Sequence, residues 1–296
     1  MADLTTQAST DEAYAYCERM ARSHYENFSV VSWAFPKRLR RSMFSVYAYC
    51  RYTDDLGDEA EGDRLALIDA WEADLRRCYD GTPEPPILQA LQQTIHQHDI
   101  PIEPFLNLIE SERLDQRVKR HPTYEDLLRY CAHSAAPVGR MVLYVFGYRD
   151  QERQRLSDAT CNALQLANFW QDVKRDYDMG RIYIPQEDMQ RFGYTEEDLA
   201  AGLVTPAFQR LIAFEVERAR ALFEEGAKLV DMVAGELRLD LKLFTEGGLA
   251  VLDAIQWQDY DVLSRRPVVS KGKKTRWALT GFAKLAAQRL IGGGHG

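Results

Sequence analysis

Asp54-Asp55-Leu56-Gly57-Asp58-Glu59 and Asp172-Val173-Lys174-Arg175-Asp176 are two acidic segments that lie far apart in the chain. Each contains two aspartates four residues apart, and on a helix such carboxylates lie one above the other on the same face. Two of these faces turned toward each other make a cage for hard divalent cations such as Mg²⁺. Because Mg²⁺ commonly takes further ligands from substrate phosphates, the two segments predict an enzyme that acts on a diphosphate.

Each acidic segment extends into a polar stripe at helical spacing. The first stripe consists of Tyr47, Arg51, Asp54 and Asp58, and the second of Gln165, Asn168, Asp172 and Asp176. Apolar residues are interleaved with both stripes, so each runs through a segment that is apolar enough to be buried. The alternative is that the acids form solvated helix faces and pair with nearby bases. Two matching stripes favour the buried site.

Length and composition predict one large helical domain. The chain has 296 residues, of which 46% are hydrophobic, and this is enough to bury a large core. The Pro- and Gly-containing stretch 80–86 is short enough to be a helix connection, and no internal repeat is present. We therefore predict a single domain over residues 12–290, a disordered N-terminus at 1–11 and a flexible tail at 291–296.

Charge and cysteine usage exclude several classes of protein. A net charge of -8 argues against a nucleic-acid-binding protein. Five scattered cysteines without a CxxC pair predict reduced thiols in the core. The start of the chain has no signal-peptide pattern and no window is apolar enough to span a membrane, so we predict a cytoplasmic protein. The basic stretch 265–274 leaves peripheral contact with the inner membrane open, and a monomer and a homodimer remain alternatives.

The periodicity of apolar residues predicts an all-α fold. Helical patterns extend over approximately 63–79, 86–98, 102–120, 123–146, 150–177, 206–234 and 237–263. Capping boxes are expected at Thr123-x-x-Asp126 and Thr195-x-x-Asp198. The sequence contains neither a Gly-x-Gly-x-x-Gly motif nor a P-loop, so no nucleotide site of either kind is indicated.

The chain resembles the squalene and phytoene synthase family over approximately residues 14–274. The resemblance rests on four segments: His24-Tyr25-Glu26-Asn27-Phe28, Tyr49-Cys50-Arg51-Tyr52-Thr53-Asp54-Asp55-Leu56-Gly57-Asp58-Glu59, Gln165-Leu166-Ala167-Asn168-Phe169-Trp170-Gln171-Asp172-Val173 and Gly180-Arg181-Ile182-Tyr183-Ile184-Pro185. Segments 24–28 and 130–140 look most like the bacterial hydroxysqualene synthase branch of hopanoid biosynthesis. The resemblance implies an all-α isoprenoid synthase (prenyltransferase-like) fold with a central active-site cavity.

The resemblance also implies a set of site residues around a prenyl diphosphate and two or three bridging Mg²⁺ ions. The implied metal ligands are Asp54, Asp58, Asn168, Asp172 and Asp176. The implied substrate contacts are His24, Asn27, Phe28, Tyr47, Arg51, Gln165, Asn168, Arg181 and Tyr260. Asp55 and Asp115 are weaker candidates. For His24 and Tyr260 the alternative is a structural role in a helix cap or in the core.

The expected chemistry is ionisation of the diphosphate in a dry cavity, which leaves a carbocation that aromatic faces can stabilise. Aromatic candidates are Phe28, Phe44, Tyr47 and Phe169, with an ordinary core role as the alternative. The group that quenches the cation determines the product. Hydride from NADPH gives squalene, proton loss gives a desaturated hydrocarbon, and water gives an alcohol.

One departure from the family pattern bears on the product. Many squalene and dehydrosqualene synthases carry a tyrosine just before a Val-Ala-Gly-x-Val-Gly helix, whereas this chain reads Ala132-His133-Ser134-Ala135-Ala136-Pro137-Val138-Gly139. The missing tyrosine favours a hydroxysqualene synthase that starts from presqualene diphosphate and needs no NADPH. His133 is a candidate catalytic base or water-positioning group, with a core histidine as the alternative. Pro137 should bend or interrupt its helix.

Two other functions remain as alternatives. One is a squalene or dehydrosqualene synthase that condenses two farnesyl diphosphates head-to-head. The other is a non-catalytic assembly factor of the same fold, but such relatives tend to lose the metal-binding acids that are intact here.

Overall fold

A computed structural model describes residues 10–23 and 36–269 of the chain, and the helices are numbered within these ranges. They are α1 (Thr10–Ser23), α2 (Arg40–Asp58), α3 (Arg64–Asp80), α4 (Pro86–His98), α5 (Glu103–Arg117), α6 (Tyr124–Ser134), α7 (Ala136–Val145), α8 (Gln151–Asp178), α9 (Gln186–Phe192), α10 (Glu196–Ala200), α11 (Pro206–Gly226), α12 (Leu229–Met232) and α13 (Gly235–Trp257). The described part of the chain has no β-strand beyond a single parallel bridge between Arg120 and Ile182. The predicted all-α fold is confirmed.

Side-chain caps explain where several helices begin. Thr123 and Thr195 form the predicted capping boxes with Asp126 and Asp198 at the starts of α6 and α10. The carboxylate of Asp150 accepts a hydrogen bond from the backbone N–H of Arg153 at 3.0 Å, which satisfies one free donor at the start of α8. Helix α8 is 28 residues long and therefore spans about 42 Å.

Four of the predicted helical segments are longer than the helices that the structure forms there. The pattern over 123–146 is divided into α6 and α7 at Ala135, two residues before Pro137, which confirms the expected interruption. The pattern over 102–120 ends at Arg117, because residues 118–120 extend and pair with the segment after α8. The pattern over 206–234 ends at Gly226 and resumes only as the short α12. Helix α13 ends at Trp257, where the chain turns through positive φ angles at Asp259 and Tyr260.

The helices pack around two large apolar cores, and a smaller third cluster joins α7, α8, α12 and α13. Helices α1 to α5 and α7 contribute to the first core, whereas α6, α8, α9, α10, α11 and α13 contribute to the second. Helix α8 is the central element, since it packs against α7, α11 and α13. The functional cavity lies between the two cores and takes its walls from both.

Some predictions concern residues outside the described ranges. The predicted tails, 1–11 and 291–296, lie outside them except for Thr10 and Asp11, which begin α1. Residues 270–274, half of the basic stretch 265–274, also lie outside. None of the helices within residues 10–23 and 36–269 is long and apolar enough to cross a membrane. Cytoplasmic location, peripheral membrane contact and oligomeric state stay predictions.

Candidate active site

A cavity of about 680 Å³ opens between the two helical groups. Helices α2, α5, α6, α7, α8 and α13 line it, together with Arg181 and Tyr183 of the segment after α8. One end carries the acidic side chains of α2, α5 and α8. The other end is largely apolar and is lined by Met43, Val142, Leu143, Leu237, Leu241 and Phe244, with the buried Asp240 as its acidic residue on α13. Asp172 and Cys161 both line the cavity on α8, and their separation along the helix corresponds to about 16 Å of depth.

The structure brings the two predicted stripes to one cavity. Tyr47, Arg51, Asp54 and Asp58 line it from α2, and Gln165, Asn168, Asp172 and Asp176 line it from α8. Arg181 lines it from the connecting segment. The helical spacing thus correctly predicted that the side chains of the two stripes face the same cavity. Their roles as ligands stay predictions.

Three arginines pair with carboxylates in or beside the acidic end. Arg181 Nη2 donates to Asp58 Oδ1 at 2.7 Å. Arg51 pairs with Asp55 and with Glu59, to which its Nη2 lies at 2.9 Å. Arg266, which follows α13, donates to both carboxylate oxygens of Asp172, with Nη2 to Oδ2 at 2.9 Å. These guanidinium groups offset part of the negative charge.

Three further acids at this end have raised pKa values, chiefly because they are buried. Burial, together with the charges of Asp58 and Asp55, raises the pKa of Asp54 to about 7. Burial and the nearby Asp172 likewise raise the pKa of Asp176 to about 7. Burial and the charge of Asp54 raise the pKa of Glu112 to about 10. The acidic end therefore favours any added positive charge.

The donor set at this end fits a hard divalent cation. Its side chains offer carboxylate and amide oxygens, which are the ligands that Mg²⁺ takes. The raised pKa values mark buried carboxyl groups whose charged form a nearby cation would stabilise. Within the described residues, no three His, Cys, Asp or Glu side chains already stand close enough to hold a metal. Two of the carboxylates, those of Asp58 and Asp172, instead pair with the guanidinium groups of Arg181 and Arg266.

Sequence reasoning missed a buried part of the acidic end. Glu112 on α5 was not predicted, and Asp115, a weaker candidate, is buried and accepts a hydrogen bond from Tyr130 Oη at 3.1 Å. Glu112 lies so close to Gly57 that a Cβ there would fall 1.8 Å from Glu112 Oε2. The glycine of the first acidic segment therefore leaves the space that the Glu112 side chain occupies against α2.

An aromatic wall adjoins the acids. The rings of Phe169 and Tyr183 stack with centroids 3.7 Å apart, and Tyr130 lies 5.8 Å from Tyr183. All three line the cavity. Only Phe169 was predicted, although Tyr183 lies within the recognised segment 180–185.

The connection after α8 fixes Arg181 and Tyr183. Gly180 adopts a φ of +81°, a conformation that favours glycine, and so ends the helix. Ile182 then pairs with the extended segment after α5, where its N–H donates to the carbonyl of Lys119 at 3.0 Å. This pairing holds the two side chains on either side of Ile182 toward the cavity.

Several predicted residues are not among those that line the cavity. His133 is half-buried near the end of α6 but is absent from the cavity wall, because its neighbour Ser134 takes that face. Tyr260 packs against the second core, and Phe44 is buried in the first. The predicted contacts His24, Asn27 and Phe28 lie outside the described residues.

Comparison with known proteins finds relatives in sequence and in solved structure. The sequence pattern of the squalene/phytoene synthase family matches residues 21–273. The 15-cis-phytoene synthase of Synechococcus elongatus is 32% identical over 285 residues, which cover 90% of this chain and 91% of that protein. The solved structure of squalene synthase HpnC from Alicyclobacillus acidocaldarius is 50% identical with a TM-score of 0.83, over 87% of this chain and 99% of that one. A dehydrosqualene synthase solved with a ligand is 27% identical with a TM-score of 0.83, over 94% and 98% of the two chains.

Proposed function

Because the chain belongs to the squalene/phytoene synthase family, whose members process prenyl diphosphates, we propose that it converts presqualene diphosphate to hydroxysqualene. In this reaction the diphosphate leaves, the resulting carbocation rearranges, and one water molecule captures it. The observation that carries the proposal is the cavity with one acidic and one apolar end. A prenyl diphosphate has the same two-part chemistry, a polyanionic head on a long hydrocarbon.

The acidic end serves to bind the head group and let it depart. The proposed ligands of two or three Mg²⁺ ions are Asp54, Asp58, Asn168, Asp172 and Asp176, whose oxygens fit that ion. Bound Mg²⁺ would neutralise charge on the departing pyrophosphate. Arg51 and Arg181 are the proposed donors to its remaining oxygens, because guanidinium groups form strong charge-assisted hydrogen bonds with phosphate.

The rest of the cavity protects and orients the cation. The stacked pair Phe169 and Tyr183 presents aromatic faces beside the acidic end, and such faces attract positive charge. The apolar end excludes bulk water, which would otherwise consume the cation at random positions. Controlled hydration therefore requires that a water molecule be held at one place.

The segment 132–139 bears on the choice of starting substrate. The family's tyrosine is replaced there, which weakens the case for condensing two farnesyl diphosphates and favours presqualene diphosphate as the starting substrate. The proposed reaction needs no reductant, so NADPH is not expected to be required.

A second candidate is a squalene or dehydrosqualene synthase that condenses two farnesyl diphosphates. It is favoured by the names of the two structural relatives, a squalene synthase and a dehydrosqualene synthase. A non-catalytic assembly factor is disfavoured because both carboxylate pairs are intact and line one cavity.

Product analysis separates these functions. Purified protein would receive farnesyl diphosphate or presqualene diphosphate with Mg²⁺, with and without NADPH, and products would be identified by mass spectrometry. We expect presqualene diphosphate to give hydroxysqualene without NADPH. Squalene made from farnesyl diphosphate only when NADPH is present would refute the proposal in favour of the second candidate. Turnover of neither substrate would favour the assembly-factor class.

A further inference from the structure

Ser134 stands out among the hydroxyl side chains that line the cavity. Its Oγ is buried and has no hydrogen-bond partner within residues 10–23 and 36–269. Helical serines and threonines usually satisfy a buried hydroxyl by donating to a carbonyl one turn earlier. Two other cavity-lining residues do this: Ser111 Oγ donates to the carbonyl of Leu108 at 2.7 Å, and Thr160 Oγ1 to that of Leu156 at 3.4 Å.

The depth of Ser134 in the cavity follows from its helix. Tyr130 and Ser134 both line the cavity and are four residues apart on α6, so they share a face and differ by about 6 Å along the axis. The hydroxyl of Tyr130 is bonded to Asp115 at the acidic end. Ser134 therefore lies one helical turn below the acids, at the depth of the first carbons of a prenyl chain whose head group binds there.

The local backbone adds to the polarity of this position. Helix α6 ends at Ser134 and α7 begins at Ala136, with Pro137 in its first turn. Because Pro137 has no N–H, it cannot donate to the carbonyl of His133 four residues earlier. The unpartnered hydroxyl of Ser134, which lines the cavity, thus follows directly on a residue whose carbonyl lacks its usual helical donor.

We propose that Ser134 positions the water molecule that captures the carbocation, an inference that rests on the proposed function and identifies the group that decides its product. A buried hydroxyl requires a partner, and the hydrocarbon of the substrate offers none at this depth. Cleavage of the C–O bond leaves the electron pair on pyrophosphate. The water oxygen forms a new C–O bond to the cation, and the proton it loses passes to a pyrophosphate oxygen.

The test compares product ratios in variants of Ser134. S134A and S134V would be given presqualene diphosphate and Mg²⁺ without NADPH, and the alcohol fraction would be measured beside the rate of pyrophosphate release. We expect the alcohol to fall about tenfold relative to hydrocarbons formed by proton loss, with pyrophosphate release changed by less than about threefold. S134T, which keeps a hydroxyl, should retain most of the alcohol.

Ser111 supplies the matched control. It lies four residues before Asp115 on α5 and lines the same cavity, but its hydroxyl is already bonded. S111A should therefore keep the wild-type product ratio, and because a ratio does not depend on the amount of folded enzyme, partial unfolding cannot imitate the effect. An unchanged alcohol fraction in S134A and S134V would overturn the role of Ser134 alone. A wild-type protein that forms no alcohol from presqualene diphosphate would overturn the proposed function itself.

Discussion

Asp172 shows how a buried carboxylate of the acidic end is stabilised by an arginine of the same chain. Its carboxylate is only 5% exposed and is bound through both oxygens by Arg266. Removing a buried carboxylate from water costs free energy unless a positive group accompanies it. Arg181 pairs in the same way with Asp58, whose side chain is about half exposed, through one oxygen. The arginines therefore act as internal counter-ions at positions where we propose Mg²⁺ binding.

Replacing Asp172 with Asn should abolish most of the activity without unfolding the protein. The amide can still accept a hydrogen bond from Arg266 but supplies no negative charge, so turnover should fall by at least about 100-fold. Steady-state pyrophosphate release and circular dichroism would be measured together. Asp178, an exposed residue of the same helix that pairs with Lys174, is the control, and D178N should remain close to wild type. Full activity in D172N would remove Asp172 from the proposed ligands.

Replacing Arg266 with Gln should strengthen Mg²⁺ binding to the substrate-free protein. The change frees Asp172 from its bidentate partner, so we expect the apparent affinity for Mg²⁺ to rise about threefold to tenfold in calorimetric titrations. R265Q is the control, since Arg265 donates to Gln258 and not to the acidic end. An affinity that is unchanged or lower in R266Q would show that Arg266 does not compete with the cation.

Glu215 does not line the cavity, and its burial predicts that the free energy of unfolding depends on pH. It is fully buried beside Asp188 and Arg218, and burial is the main cause that raises the pKa of Glu215 from 4.5 to about 8. The folded state therefore binds this proton more tightly than the unfolded state. Its contribution to stability is complete below about pH 4.5 and is lost as the pH rises toward 8.

E215Q, which mimics the protonated acid, should not lose stability as the pH rises toward 8. We expect E215Q to gain stability relative to wild type by up to about 1.4 kcal/mol per pH unit between pH 5 and 8, as measured by urea denaturation. E217Q, at an exposed position of the same helix, should show no such trend. A difference between E215Q and wild type that does not vary with pH would contradict the assignment.

At the scale of helices, the sequence predicted correctly those features that depend on the spacing of neighbouring residues along the chain. Helix α8 was recognised because its polar stripe and its apolar residues have helical periods, and the break before α7 because Pro137 lacks an N–H. Glu112 of α5 was missed because it occurs in the charge-rich run Glu110-Ser111-Glu112-Arg113, which is typical of a solvated face. Only the packing of α5 against α2 shows that Glu112 is buried. The position of Ser134 on the wall instead of His133 likewise depends on how α6 is rotated in the bundle.

The contact between α8 and α11 predicts a large effect of a small substitution. A Cβ at Gly226 would lie 2.1 Å from Thr160 Oγ1 and 2.8 Å from its backbone nitrogen, and the backbone cannot move aside cheaply. We expect G226A to lower the free energy of unfolding by about 1–3 kcal/mol. G81A, where a Cβ would meet Arg77 at an ordinary 3.7 Å, should change it by less than about 0.5 kcal/mol. Equal stabilities of the two variants would contradict this packing.

For the whole molecule, the cavity between two helical cores separates the polar and apolar parts of the proposed reaction. Carboxylates and arginines gather where α2, α5 and α8 converge, and the apolar end is closed by α7 and α13. A diphosphate can then depart at one end while the carbon skeleton stays in a largely dry space. This arrangement is what the proposed ionisation requires, and Ser134 is the group that we propose to determine the fate of the cation.

The central claim is that this cavity converts presqualene diphosphate to an alcohol by admitting one water molecule. It is tested most directly by a single turnover with Mg²⁺ in ¹⁸O-labelled water without NADPH, followed by mass spectrometry of the product. The account predicts hydroxysqualene carrying one ¹⁸O atom, with one pyrophosphate released per product. Alcohol without the label, only hydrocarbon products, or unreacted presqualene diphosphate would contradict it.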